Sequence, residues 1–202
     1  MKYYILSLCL IVVLAKGIGA VDSSTCTYSS SGCAFPDANQ SSSYTETVGE
    51  DHDYASSVST MSFTIYNGVD WGGTATSSVT VDNRTGLMWV TNMVDAGVPY
   101  TSSHTWQGAL SLCEGLTYAG FSDWRLPNVR ELMSIVDYGK TTGVRINVSY
   151  FPRTQLNSYW TSTTYAPFSV LAHFVKFNLG SIDVSNKTSS YYFVRCVRAG
   201  PP

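Results

Sequence analysis

The residues with most chemistry to offer are Cys26, Cys33, Cys113 and Cys196, and the acidic run Glu50-Asp51-His52-Asp53. Thiols can bridge, ligate zinc or exchange electrons, and clustered carboxylates can hold calcium. No two of these cysteines stand in a C-x-x-C spacing, and no His-x3–5-His partner accompanies them. Metal and redox roles therefore give way to structural disulfides. The acidic run lacks the spacing of an EF-hand loop and reads as a solvated turn. His52, His104 and His173 are isolated, with no His-Glu-x-x-His. Gly120-Phe121-Ser122-Asp123-Trp124 comes nearest to a nucleophile elbow, but Trp124 stands where glycine is required. The sequence predicts no catalytic residue, no metal and no cofactor.

The cysteines take their meaning from the start of the chain. Met1-Lys2 precedes an apolar run from Tyr3 to Ala15, which closes on Gly17, Gly19 and Ala20. A charged start, a short apolar centre and small exit residues make residues 1–20 a secretory signal peptide. Spanning a bilayer takes roughly 20 apolar residues, more than this run supplies. The expected product is secreted or held at the cell surface, with no membrane insertion after cleavage. Cys9 leaves with the leader, and the remaining four cysteines allow three connectivities. The pairing favoured here is Cys26–Cys33, a local loop, with Cys113–Cys196 as a long-range staple. Closing the longer loop should stabilise the fold by about 4–5 kcal/mol through the entropy of the unfolded chain.

Removing Lys2 and Lys16 leaves ten basic against 14 acidic side chains, a charge of −4. That balance argues against a general nucleic-acid binder, which would carry a basic excess. Charged and aromatic residues each make up 13% of the chain, a low-charge balance expected of extracellular β-rich proteins.

Residues 21–78 are rich in Ser and Thr. They contain one alternating strand candidate, Met61 to Tyr66, and are expected to be an extension packed on the main domain, 79–199. Val79-Thr80-Val81, the turn residues Asp82-Asn83 and Leu87-Met88-Trp89-Val90 after Gly86 predict a pair of short strands. Trp106, Ala109, Leu110 and Cys113 lie at i, i+3, i+4 and i+7 and predict a helix from Thr105 to Glu114, ended by Gly115. A second helix follows Pro127. Asn128 caps it, Glu131 completes a capping box, Val129, Leu132, Met133 and Val136 form its buried stripe, and Gly139 stops it. Strands are expected over Tyr159–Thr164, His173–Leu179 and Tyr191–Arg198, with Tyr192, Val194 and Cys196 on one face. The fold class is α+β, two helices flanking a twisted antiparallel sheet.

Several phrases occur in a recognisable order: Val81 to Trp89, Trp106 to Leu116, Gly120 to Leu132 with Ser122-Asp123-Trp124-Arg125-Leu126-Pro127-Asn128 at its centre, Tyr150-Phe151-Pro152, Tyr159 to Tyr165, and Val194-Arg195-Cys196-Val197-Arg198. On these phrases the chain resembles the C-terminal domain of the Legionella collagen-like adhesin over residues 79–199. The resemblance implies a fold related to C-type lectins and to the formylglycine-generating enzyme, disulfide-stapled as in lectins, where a cysteine of the first helix bonds one in the final strand. It also implies attachment to sulfated glycans and assembly as a homotrimer. This chain has no collagen-like Gly-X-Y tract. It also lacks the sugar-binding calcium phrases Glu-Pro-Asn and Trp-Asn-Asp.

Lys140, Arg145, Arg153 and Lys176 are the candidates for glycan sulfates, and Trp71, Tyr191 and Tyr192 are the aromatics expected to be exposed. Trp89, Trp106, Trp124 and Trp160 are expected in the core. Arg125 is expected to be half-buried and hydrogen-bonded to carbonyls or a carboxylate. The resulting expectation is a secreted, non-catalytic lectin-like domain whose partner is an extracellular glycan. The alternatives are a structural or protein-interaction module of the cell envelope and, third, an oxidase of the formylglycine-generating type.

Overall fold

The computed structural model describes Gln40, residues 61–67 and residues 77–200. The leader 1–20, Cys26, Cys33, the Glu50–Asp53 run and Trp71 lie outside the described residues. Within them the protein is mostly sheet with two short helices: β1 Phe63–Asn67, β2 Ser78–Asp82, β3 Met88–Val90, α1 Trp106–Glu114, α2 Val129–Met133, β4 Ser158–Thr164, β5 Leu171–Lys176, β6 Ser181–Asn186 and β7 Val197–Arg198. All strand pairings within the sheets are antiparallel.

The single expected sheet is in fact two, ordered β1-β2-β3-β7 and β4-β5-β6. The terminal segment accounts for the split. Phe193 bridges Tyr159 of β4 in parallel, and four residues later Val197 pairs with Trp89 of β3 and Arg125. A stretch that bonds first to one sheet and then to the other cannot be one long strand. Of the expected strand Tyr191–Arg198, only Val197–Arg198 forms a ladder.

Local chemistry explains the turns and helix ends. Asp82 ends β2 by accepting hydrogen bonds from the Arg84 backbone N–H and the Thr85 hydroxyl, at 3.0 and 2.6 Å. Gly86, at φ 71°, supplies the left-handed residue that completes the turn into β3. The Thr105 hydroxyl caps α1 by accepting from Gly108 N–H at 3.2 Å. The helix buries Ala109 and Cys113 and ends at Gly115, as the stripe predicts.

Three other elements differ from expectation. α2 stops at Met133, well before Gly139, because Ser134 tightens the last turn and Asp137 N–H bonds Arg145 carbonyl at 3.0 Å, drawing the chain off the helix axis. Val136 is still buried, but beyond the helix. β5 stops at Lys176, short of Leu179, because Leu179 and Gly180 N–H both turn back to the Lys176 carbonyl, with Gly180 at φ 69°. β6 has no counterpart in the sequence reading: only Ile182 and Val184 mark its alternation, neither is buried, and the strand forms an edge of its sheet.

The core has two lobes. One surrounds the Cys113–Cys196 disulfide with Val79, Met88, Trp124, Leu126, Trp160 and Val194. The other gathers Trp89, Leu132, Ile135, Phe151, Tyr159, Phe177 and Val197. Trp89, Trp124 and Trp160 are fully buried, as expected, and Trp106 is half-buried against the first lobe. The disulfide joins the first helix to the residue just before the last strand, across 83 positions.

Candidate binding surface

The central phrase forms a bracket. Arg125 grips Glu131 with both guanidinium arms, Nη1 to Oε2 at 2.7 Å and Nη2 to Oε1 at 2.6 Å. The same carboxylate accepts from Asn128 N–H at 2.8 Å, while Asn128 Oδ1 accepts from the Arg130 and Glu131 N–H groups, each at 2.9 Å. Pro127 carbonyl accepts from Ser162 N–H at 2.8 Å, and Val129 N–H donates to Thr163 Oγ1 at 3.0 Å, which ties the start of α2 to β4. Trp124 Nε1 donates to the Tyr118 carbonyl at 3.1 Å. Burial alone would raise the Glu131 carboxyl pKa, but the Arg125 and Asn128 hydrogen bonds outweigh it and leave it lowered. The Arg125 pKa is raised, mainly by its hydrogen bonds to Glu131. Arg125 is thus committed to a carboxylate and not free for a ligand anion.

The four cationic candidates do not converge on one site. Lys140 Nζ donates to the Ile146 carbonyl at 2.6 Å, and Arg145 donates to the Lys140 carbonyl, so these two sit together in the loop after α2. Lys176 pairs with Asp183 of β6 at 2.8 Å. Arg153 lies apart, its guanidinium 5.8 Å from the Tyr100 ring centre. Of the aromatics, Tyr191 is 77% exposed. Tyr192 departs from expectation: it packs between Trp160 and Phe174, with ring centres 4.3 and 4.5 Å away. Period-2 alternation explains the difference, since Tyr192 shares the inward face of Val194 and Cys196 while Tyr191 points the other way.

A groove that the sequence reading missed lies at the start of α1. It is a shallow, open depression of about 460 Å³ bordered by Gln107, Ser169, Val170, Asn186, Lys187 and Thr188. Three segments meet there. Trp106 N–H donates to the Lys187 carbonyl at 3.0 Å, and Lys187 N–H donates to the Val170 carbonyl at 3.0 Å. The Lys187 ammonium lies 4.0 Å from the Trp106 ring centre and donates to Thr164 Oγ1 at 2.9 Å. The ring is itself fixed by Nε1 donating to the Thr161 carbonyl at 2.8 Å. Asn186 Oδ1 accepts from both the N–H and the hydroxyl of Thr188, at 3.0 and 2.9 Å. Its lining is mostly apolar, from Val170 and the carbon stems of the other side chains, with the amide, hydroxyl and ammonium groups set among them. Phe168, beside it in sequence, and Val170 are each 61% exposed. No pattern of spacing marks these residues, because each is an ordinary surface residue until the segments meet.

Among the described residues no group of three or more His, Cys, Asp or Glu could hold a metal ion, and no helix is long and apolar enough to cross a membrane. Residues 78–198 match the family model described as the Lcl C-terminal domain. No curated protein matches the chain.

Proposed function

The chain belongs to the Lcl C-terminal domain family, a domain associated with an extracellular adhesin, and on that premise we propose that it is a non-catalytic recognition module for an extracellular glycan. What carries the reading is the groove at the start of α1. A sugar presents hydroxyls in several directions over an apolar ring face. Gln107, Ser169, Asn186, Lys187 and Thr188 offer matching donors and acceptors, beside the exposed side chains of Phe168 and Val170. The tie from the first helix to the final strand supports a C-type-lectin-like reading of the architecture. The absence of free thiols at Cys113 and Cys196, both in one buried disulfide, favours binding over oxidase chemistry.

A second reading, a protein-interaction module, is favoured by the exposure of Phe168 and Val170, which would suit a peptide side chain. A glycan array probed with the purified chain, with and without chelator and at low and high salt, separates the two. Retention on glycans supports the first reading; no retention by a folded sample that captures one protein partner supports the second. Loss of glycan retention in high salt would mark an electrostatic contact. The homotrimer implied by the resemblance remains a proposal, checked by the mass of the purified chain in solution.

A further inference from the structure

The depression at the start of α1 carries polar groups that folding leaves without a partner. Asn186 Oδ1 accepts from the Thr188 N–H and hydroxyl at 3.0 and 2.9 Å. A backbone N–H can only donate, so the atom facing Thr188 is the oxygen and Nδ2 is turned the other way. That Nδ2 donates to no acceptor among the described residues. The side chains of Gln107, in the first turn of α1, and of Ser169 make no hydrogen bond there either. Among the described residues Lys187 is the one cation bordering the depression, and its ammonium is drawn onto Thr164 Oγ1 and the Trp106 ring. No aspartate or glutamate borders it.

The spare groups are therefore neutral: two carboxamides and a hydroxyl around Val170, whose side chain stands open to solvent. A carboxamide donates through nitrogen and accepts through oxygen, so it pairs best with a group that does both. Sugar ring hydroxyls meet the amides but leave the Val170 methyls against water. A sulfate or carboxylate asks for a free cation and offers Gln107 no donor. An acetamido substituent presents a carbonyl, an N–H and a methyl in one plane. Those three parts match the Asn186 amide nitrogen, the Gln107 amide oxygen and Val170. The volume of about 460 Å³ lies within the range of small-ligand sites, about 300–1,000 Å³.

We propose that this depression selects N-acetylhexosamines, an inference that rests on the glycan reading above and narrows it. The acetamido carbonyl accepts from Asn186 Nδ2, its N–H donates to Gln107 Oε1, and its methyl lies against Val170. Ser169 meets a ring hydroxyl. Selection of this kind involves no charge, which separates it from recognition through sulfate.

Binding to the purified chain is measured by NMR titration with methyl β-glucoside, methyl N-acetyl-β-glucosaminide, the 6-sulfate of the latter, and N-acetylalanine methylamide. The N-acetylated glycoside should bind about tenfold more tightly than the plain glucoside, as two added hydrogen bonds predict. Its 6-sulfate should gain nothing, even at low salt. Asn186→Asp keeps an acceptor for Thr188 but cannot donate, so Tm should hold while the preference for the acetamido group vanishes. Gln107→Ala, at an exposed position, should reduce that preference without touching the Asn186 turn. Equal affinity for the two neutral glycosides, tighter binding of the 6-sulfate, or a preference that survives both variants would overturn the inference and leave the glycan reading standing. Binding of the methylamide alone would overturn both in favour of a peptide. Binding of no probe would overturn the inference, with the glycan array deciding the broader reading.

Discussion

Arg125 and Glu131, six residues apart, close a two-point ionic fork at 2.6–2.7 Å around the first turn of α2, and the same carboxylate accepts the Asn128 backbone N–H. One side chain thereby satisfies a charge and a helix-start donor together. Glu131→Gln should keep the shape but weaken both interactions, lowering unfolding stability by about 1–2 kcal/mol in urea titrations. The sign with pH follows from the lowered pKa of Glu131. Its stabilising share is present above the unfolded carboxyl pKa and is lost as pH falls through the folded one. Asp123, held low by hydrogen bonds from Arg198, acts in the same direction. Acid unfolding curves should therefore separate at neutral pH and converge at low pH for wild type and Glu131→Gln; parallel curves would contradict this.

Tyr118 is poised for the opposite limb. Its buried hydroxyl accepts from Ser78 N–H at 2.9 Å and donates to the Ser78 carbonyl at 3.2 Å, locking the loop after α1 onto β2. Burial, partly countered by the Ser78 hydrogen bond, pushes its pKa up to about 12. A raised pKa means the stabilisation is full below the unfolded value near 10 and is lost as pH rises through the folded value. Stability should fall between pH 10 and about 12, followed by phenolate absorbance during alkaline titration. Tyr118→Phe should cost about 1–3 kcal/mol at neutral pH and shrink that alkaline loss.

The Cys113–Cys196 bond closes a loop spanning 83 positions inside the larger disulfide-centred core lobe. Replacing both cysteines with alanine should lower stability by about 4–5 kcal/mol through the restored freedom of the unfolded chain. Guanidinium unfolding of the oxidised chain and the double variant measures it. A loss below about 1 kcal/mol would mean that the staple constrains little.

The groove can be tested against the cationic loop. Lys187→Ala removes a groove wall and its contact with Trp106 at a stability cost of about 0.5–1 kcal/mol. In the leading functional reading it should lower glycan affinity by about tenfold, equivalent to about 1.4 kcal/mol. Lys140→Ala, at the loop after α2, should leave that affinity unchanged. The reverse ranking on the same array would move the binding surface to Lys140 and Arg145.

Much of the local structure was legible in the residues themselves. Thr105 and Asn128 cap helices through hydrogen bonds that span two or three residues. Glu131 reaches Asn128 three positions back and Arg125 six positions back. The apolar stripe from Trp106 to Cys113 turns a helix face inward and commits Cys113 to the core. Apolar alternation marked β1, and β-branched residues beside turn residues marked β2. Such signals are complete within a few positions, so reading along the chain recovers them.

Other features came into being only with the tertiary arrangement. β6 is an edge strand that buries neither Ile182 nor Val184 and is held by its backbone pairing with β5. Whether Arg145 and Lys176 met a ligand or a neighbour depended on which carbonyl or carboxylate folding brought beside them. The groove unites Gln107 with segments more than 60 positions away, and Arg195 meets Val90 from 105 positions away. Side-chain type and spacing report what a residue does to its near neighbours in the chain. They do not report which distant surface it will face, because that is settled by the packing of the whole core.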